Sequence, residues 1–281
     1  MYLIFSLLIK AVVAFLIFDL LTVLLSYSIS WYEKSNADPS LIEQRFSWKN
    51  LRLLAWLVFP EVFFNSLTVA SIPFGMIRRK TPHLIRGVPP TLLLHGLFDN
   101  QASWFWFKWQ LKRRGIKNLV TINLSSWHKE EVLTELLAKR IDEIRIQVGV
   151  NKVHLVGHSM GGMIARNYIQ LRGGADKVDQ LVCLGTPHHG SKLASFSIAP
   201  LGKILLPSSD FLKRLNNAAV PQGVTLTNIY SRKDNMVLPN EFNHLIWGNA
   251  VELDNMGHTA LIYRSAAIDA VAAALKNKGN A

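Results

Sequence analysis

Apolar residues run almost unbroken from Tyr2 to Ser30, with Lys10 and Asp19 as the charged exceptions. A helix needs about 20 residues to cross about 30 Å of hydrocarbon, and the window Ala11–Ser30 meets that length with Asp19 as its one charge. A carboxyl at mid-membrane costs several kcal/mol unless it is neutral or paired. Asp19 therefore calls for a partner, which the second apolar segment is placed to supply, or for a helix lying less deep. A cleaved leader is the weaker alternative, because the apolar stretch is too long and no small-x-small cleavage site follows it closely. The second segment, Leu51 to Ile77, carries Arg52 near its start and is interrupted by Pro60-Glu61 and Pro73. Proline removes a backbone donor and kinks a helix. The expectation is a kinked helix pair in or on a membrane, with a second true span as the competing reading.

From about Thr81 the pattern changes. Short apolar runs predict strands over Thr91–Leu94, Asn118–Leu124, Lys152–Gly157, Asp179–Gly185, Val224–Tyr230 and Ala250–Leu253. Between them lie an amphipathic helix over Glu130–Gln147 and a helix over Met160–Leu171, and an Ala-rich helix over Thr259–Lys276 closes the chain. Buried strands alternating with helices imply an α/β class with a mostly parallel sheet flanked by helices. The organisation expected is an N-terminal hydrophobic, membrane-associated helical part over residues 1–80 and an α/β catalytic domain over 81–281. Residues 191–222 form a lid-like or cap-like insertion, with a helix over Ser209–Asn216.

Composition sharpens this picture in two places. Of the 281 residues 49% are hydrophobic and 18% charged, and the formal net charge is +12. The densest basic clusters are Arg78-Arg79-Lys80 and Lys112-Arg113-Arg114. No nucleic-acid motif or aromatic-interleaved basic stripe accompanies them, so nucleic acid is not expected as a partner. A basic surface beside an apolar anchor fits anionic lipid headgroups, and simple solubilisation explains it equally well. If the second segment spans, Arg78-Arg79-Lys80 favours a cytoplasmic catalytic part. The single cysteine, Cys183, sits in an apolar run and reads as strand core.

Chemistry concentrates at Gly157-His158-Ser159-Met160-Gly161-Gly162, where the strand Val153-His154-Leu155-Val156 meets a helix. This is a G-x-S-x-G turn in the strand–helix context that gives it meaning. A serine on so tight a turn needs small neighbours two residues away on each side. The helix N-terminus beside it favours a developing anion. Two backbone donors must meet that anion. Met160, after the serine, offers one, and Leu97, in the loop Leu94-His95-Gly96-Leu97-Phe98-Asp99-Asn100, is the candidate for the other. His95 precedes the serine and is read as a brace for that loop.

A serine hydroxyl needs a base, and the base an orienting carboxylate. With such an elbow the chain order is serine, acid, histidine. His258, between the last strand and the last helix, is the preferred base, with His244 as rival; His188 and His189 come too early to leave room for an acid. Asp234, just past the strand Val224–Tyr230, is the preferred acid, with Asp210 and Glu241 as rivals.

The segments LLLHGLFDN, VHLVGHSMGG, CLGTPHHGS, IYSRKDNMV and DNMGHTAL, in that order, resemble the bacterial lipase branch of the α/β-hydrolase family, which includes compact triacylglycerol lipases. The resemblance covers roughly Pro90 to the C-terminus. It implies an α/β-hydrolase fold, a triad of Ser159, Asp234 and His258, and an oxyanion hole from Leu97 and Met160. The activity implied is hydrolysis of carboxylic esters, most naturally lipid esters. Rival readings are a small-molecule esterase, a thioesterase or acyltransferase with the same triad, and a non-catalytic binding protein on the same fold. Larger lipases of this group hold a structural calcium ion, but here only Asp254 lies near Asp234, so no metal and no cofactor are expected. Phe98, Trp127, Leu193 and Phe196 are the candidates for substrate contact. The insertion's apolar positions (Leu193, Phe196, Ile198, Leu201, Ile204, Leu205, Leu206, Phe211) suit an acyl chain or packing on the sheet equally. In Trp104-Phe105-Trp106-Phe107-Lys108-Trp109 the aromatics cannot all share one helix face, so some must stay outside the core.

Overall fold

The computed structural model describes residues 2–43, 46–77 and 83–277. The Arg78-Arg79-Lys80 cluster, with its bearing on orientation, lies outside the described residues. Three helices come first: α1 over Tyr2–Ala37, the short α2 over Ser40–Glu43 and α3 over Trp48–Met76. The expected kinked pair is corrected here, since α3 is one continuous helix through Pro60 and Pro73. Each proline deletes a backbone hydrogen bond, but α3 is docked on both sides of each. Leu57 and Val58 pack against Val23 and Tyr27 of α1, and Phe64 and Leu67 pack on the sheet's helices. The Ile72 and Gly75 carbonyls accept hydrogen bonds from Asn100 and Gln101, which engages carbonyls near a helix end. Asp19 receives its partner from this second segment: Asn65 Nδ2 and Ser66 Oγ donate to its carboxylate at 3.0 and 2.7 Å.

The sheet has β1 (Thr91–Leu94), β2 (Leu119–Ile122), β3 (Val153–His158), β4 (Val178–Leu184), β5 (Thr225–Ser231) and β6 (Asn249–Leu253). Their spatial order is β2-β1-β3-β4-β5-β6, with every pair parallel. Between the strands come α4 (Phe105–Arg113), α5 (Glu130–Val148), α6 (Met160–Leu171), α7 (Pro200–Lys203) and α8 (Asp210–Asn217), and α9 (Ser265–Lys276) ends the fold.

Successive strand residues face opposite sides, and both faces are covered. Leu92, Leu94 and Leu155 meet α5 and α6 on one side. Leu93, Val156, Val182 and Leu184 meet α4 and α9 on the other. Helix α5 shows why the pattern works: Leu133, Leu137, Ile141, Ile144 and Val148 form one buried stripe, each worth about 2 kcal/mol of apolar burial. It stops at Gly149, whose left-handed φ of 75° reverses the chain. In the aromatic run Trp104 and Phe107 enter the core edge to face, 4.9 Å apart, while Phe105 and Trp109 stay exposed.

The expected closing helix over Thr259–Lys276 is broken. Thr259–Ile262 is a tight 3-10 turn, and Arg264 is extended before α9 starts at Ser265. Outside partners compete with helix continuation there. The Thr259 and Ala260 N–H groups go to Glu61, the Tyr263 carbonyl to Trp106 Nε1 and the Tyr263 hydroxyl to Thr68.

In the insertion, Leu201, Leu205, Phe211, Leu212 and Leu215 join the core beneath α5 and α6. Most of its apolar positions therefore pack on the protein, and Phe196 and Ile198 remain exposed.

Candidate active site

Strand β1 leads to β2 on one side, and β3 leads to β4 on the other. Chains leaving adjacent strands in opposite directions open a crevice at the carboxyl ends, where α/β proteins place their sites. Leu94 and Gly157 are register partners at that edge, so the loops after β1 and β3 begin side by side. A Cβ placed on Gly96 would lie 3.4 Å from Ser159 Cβ.

Ser159 sits between β3 and α6 with φ 54° and ψ −123°. A non-glycine residue there stores about 1–3 kcal/mol of backbone strain, held by the packing around it. A Cβ on Gly157 would come within 2.4 Å of the Gly162 nitrogen, and one on Gly161 within 2.3 Å of the Leu94 carbonyl oxygen. No side chain fits at either place. Met160 heads α6, where first-turn N–H groups have no intrahelical partner.

On the neighbouring loop Phe98 also has a positive φ of 64°, and its N–H is taken by Ser126 Oγ at 2.8 Å. His95 is buried beneath. Its Nε2 accepts the Leu124 N–H at 2.9 Å and its Nδ1 donates to the Gly96 carbonyl at 2.8 Å. That pattern requires one neutral tautomer, and burial pulls its pKa down to about 4. Asp99, half-buried in the same loop, is pushed up to about 7 by removal from water, against the pull of His258 and the Gly96 N–H.

Asp234 lies just past β5 and is fully buried. Its Oδ1 accepts the N–H groups of Met236 and Val237 at 2.8 and 2.9 Å, and its Oδ2 accepts from His258 Nδ1 at 2.8 Å. Neutral His258 must then carry its proton on Nδ1, leaving Nε2 as the basic nitrogen. Burial opposes the charged imidazole, but the charge and hydrogen bond of Asp234, then the charges of Glu61 and Asp99, outweigh it. The His258 pKa is raised above the ordinary histidine value. His158, beside Ser159 in sequence, packs its ring 4.7 Å from that of His258 and donates from Nε2 to the His258 carbonyl at 3.2 Å. Burial, then the nearby His258, holds the His158 pKa well below the usual range, so His258 has a neutral neighbour.

Of the rivals, Asp210 pairs with Lys213 at the surface, and His244 rests on the Tyr230 ring at 4.8 Å. Neither joins the Asp234–His258 pair. His188 is buried between Arg166 and Asn228, which contact its two ring nitrogens at 3.1 Å each. Arg166 also reaches Asn216 of α8, tying the insertion to α6.

Ser159, Asp234 and His258 are all buried. Leu97 is half-buried and lies against the insertion: a Cβ on Gly202 of α7 would be 3.1 Å from Leu97 Cδ2. Among the proposed substrate contacts, Phe98, Trp127 and Phe196 are exposed and Leu193 is half-buried. A groove of about 550 Å³ lies elsewhere, between α3 and α4, lined by Leu67, Phe74, Phe105 and Trp109 among others.

Sequence reasoning missed Glu61 and Asn235. Asn235 Oδ1 accepts the His258 N–H at 3.0 Å, and Glu61 takes the next two N–H groups at 2.6 and 3.1 Å. A signal was present for Glu61, since an acidic residue inside an apolar run demands a partner. Its place beside Pro60 makes it look, in sequence, like part of a helix interruption.

The six-stranded parallel sheet with a strained serine at its switch point defines an α/β-hydrolase fold. A family model described as a PGAP1-like alpha/beta domain matches residues 122–259. The triacylglycerol lipase of Pseudomonas fragi is 34% identical over 110 residues, covering 37% of this chain and 36% of that protein. The triacylglycerol lipase of Burkholderia plantarii is 30% identical over 156 residues, covering 52% of this chain and 42% of that protein. The chain thus spans under half the length of these curated relatives. Among solved structures, mature Bacillus licheniformis lipase BlEst2 superposes with a TM-score of 0.55 at 20% identity, over 66% of this chain and 90% of that one. Aspergillus fumigatus lipase B gives 0.58 at 18%, over 71% and 56%. These similarities, each over part of the chain, support an α/β-hydrolase, lipase-like family.

Proposed function

We propose that this chain is a membrane-attached serine hydrolase that cleaves carboxylic esters, with lipid esters as the natural class. The observation that carries this reading is the buried Asp234–His258 pair, 2.8 Å apart, at the sheet edge that also holds the strained Ser159. In this reading Ser159 Oγ attacks the ester carbonyl while His258 Nε2 takes its proton. Asp234 holds the imidazole and stabilises its charged form. The tetrahedral oxyanion is met by the N–H groups of Leu97 and Met160. Collapse expels the alcohol, protonated by His258. Water, deprotonated by the same histidine, then releases the acid and restores the serine.

Lipid as the substrate class is supported by the names of the relatives and by the N-terminal helices. Both α1 and α3 are long and apolar enough to cross a membrane, with mean hydropathy of 2.5 and 1.6 in their best windows. At about 1.5 Å per residue either helix exceeds a hydrocarbon core of about 30 Å. Residues 1–80 are assigned to attachment, 81–281 to the hydrolase and 191–222 to a cap over the site. Phe98, Trp127, Leu193 and Phe196 remain the proposed substrate contacts, with the exposed three available to an incoming acyl chain.

A fluorophosphonate probe tests the reading. The folded wild type should be labelled and Ser159→Ala should not; a folded, unlabelled wild type sinks the proposal. On p-nitrophenyl esters, preference for long over short acyl chains is expected. A sharp preference for acetate would favour a small-ester esterase.

A further inference from the structure

We propose that Glu61, on the N-terminal helix α3, is a positioning residue for His258, acting through the turn that begins at that histidine. The inference rests on the hydrolase reading above. His258 precedes the turn Thr259–Ile262, which has no side-chain cap of its own. The first N–H groups of such a turn lack internal partners. Glu61 supplies them from 198 positions earlier, with Oε1 accepting from Thr259 at 2.6 Å and Oε2 from Ala260 at 3.1 Å. It is 1% exposed, and a carboxylate so buried is tolerated only with donors of this kind.

The rest of the turn hangs from the same helices. The Thr259 hydroxyl donates to Asn65 Oδ1 of α3 at 3.0 Å, and Asn65 in turn donates to Asp19 of α1. The His258 N–H goes to Asn235, whose Nδ2 donates to Ser26 Oγ of α1 at 2.8 Å. Three consecutive N–H groups, 258 to 260, therefore end on side chains that belong to α1 and α3 or are anchored by them. Gly257 permits this approach, because a Cβ there would lie 2.2 Å from Glu61 Oε2 and 2.7 Å from the Tyr27 hydroxyl. The apolar helices are thus more than a tether: they fix the backbone on which the base is mounted.

Four groups from separate elements face His258 or its charge: Asp234 after β5, Glu61 on α3, Asp99 after β1 and His158 at the end of β3. Glu61 acts through both geometry and charge, which separates it from a plain packing contact. Removing its negative charge makes the imidazolium less favourable, so the pH at which His258 becomes a competent base should fall.

The test uses the full chain in detergent micelles and follows the rate of fluorophosphonate labelling against pH. Glu61→Ala should label about 10- to 100-fold more slowly, the scale of a base displaced by around an ångström. Glu61→Gln, which keeps the shape and one acceptor, should lose less rate and shift the labelling midpoint to lower pH. Wild-type rates and midpoints in both variants would overturn the inference while leaving the hydrolase reading standing. An unlabelled wild type would overturn both. Should the alanine variant fail to fold, the Gln variant decides on the same two readouts, with Glu61→Asp expected to retain the wild-type midpoint.

Discussion

Asp234 divides its carboxylate between structure and chemistry, one oxygen to the Met236 and Val237 N–H groups and the other to His258. Replacing it with asparagine keeps the size but removes the charge and offers His258 the wrong partner. On the proposed reading the expected outcome is a fall in kcat of about 10³- to 10⁴-fold, as when serine hydrolases lose this charge. The acidic limb of the pH profile should also move down, because Asp234 is the largest influence raising the His258 pKa. The linked effect on stability has a definite sign. A group whose pKa is raised by folding stabilises fully below its unfolded value, about 6.5 for histidine, and that contribution disappears as pH rises through the folded value. Ester kinetics and urea midpoints from about pH 5 to about pH 9, bracketing the histidine range, check both; an unmoved acidic limb would count against the charge assignment. The residue types at 159, 234 and 258 were legible in the sequence because each sits just past an apolar strand. The apolar run around Glu61 signalled a need for some partner, but nothing local names one 198 positions away, and nothing local marks Asn235 as a partner of His258.

The elbow shows how tightly neighbouring elements set each other's sequence. Helix α6 passes so close to β1 that a Cβ on Gly161 would meet the Leu94 carbonyl at 2.3 Å. Backbone cannot yield there as a flexible side chain would. Gly161→Ala should lower stability by about 2–4 kcal/mol, the range of severe core disruptions, and a urea midpoint indistinguishable from wild type would refute the packing argument. Strand positions were readable to within a few residues from apolar runs, as with Thr91–Leu94 and Val153–His158. The stop at Ile262 and the continuity of α3 through Pro60 and Pro73 were not. In both, hydrogen bonds and packing from other elements override the local preference of the chain.

At the scale of the whole molecule, the N-terminal helices divide into two regions. Residues 2–18 of α1 have no buried positions, and burial begins at Asp19 and continues at Val23, Ser26, Tyr27 and Ser30. A chain lacking residues 2–18 should therefore keep its fluorophosphonate labelling while binding liposomes more weakly. A chain lacking residues 2–76 should lose labelling, because Ser26, Glu61 and Asn65 go with it. Equal labelling of the two truncations, measured beside their liposome flotation, would show that α1 and α3 serve attachment alone. The sequence by itself determined the parallel α/β architecture, since strand burial, helix periodicity and the glycines of a tight turn are written in neighbouring residues. It also marked Asp19 as a residue in need of a partner. Only the tertiary structure decided that the partner is Asn65 with Ser66, that Asp234 meets His258, and that an apolar helix caps the turn carrying the histidine. Such contacts depend on how distant segments are brought together in space, which short-range periodicity does not encode.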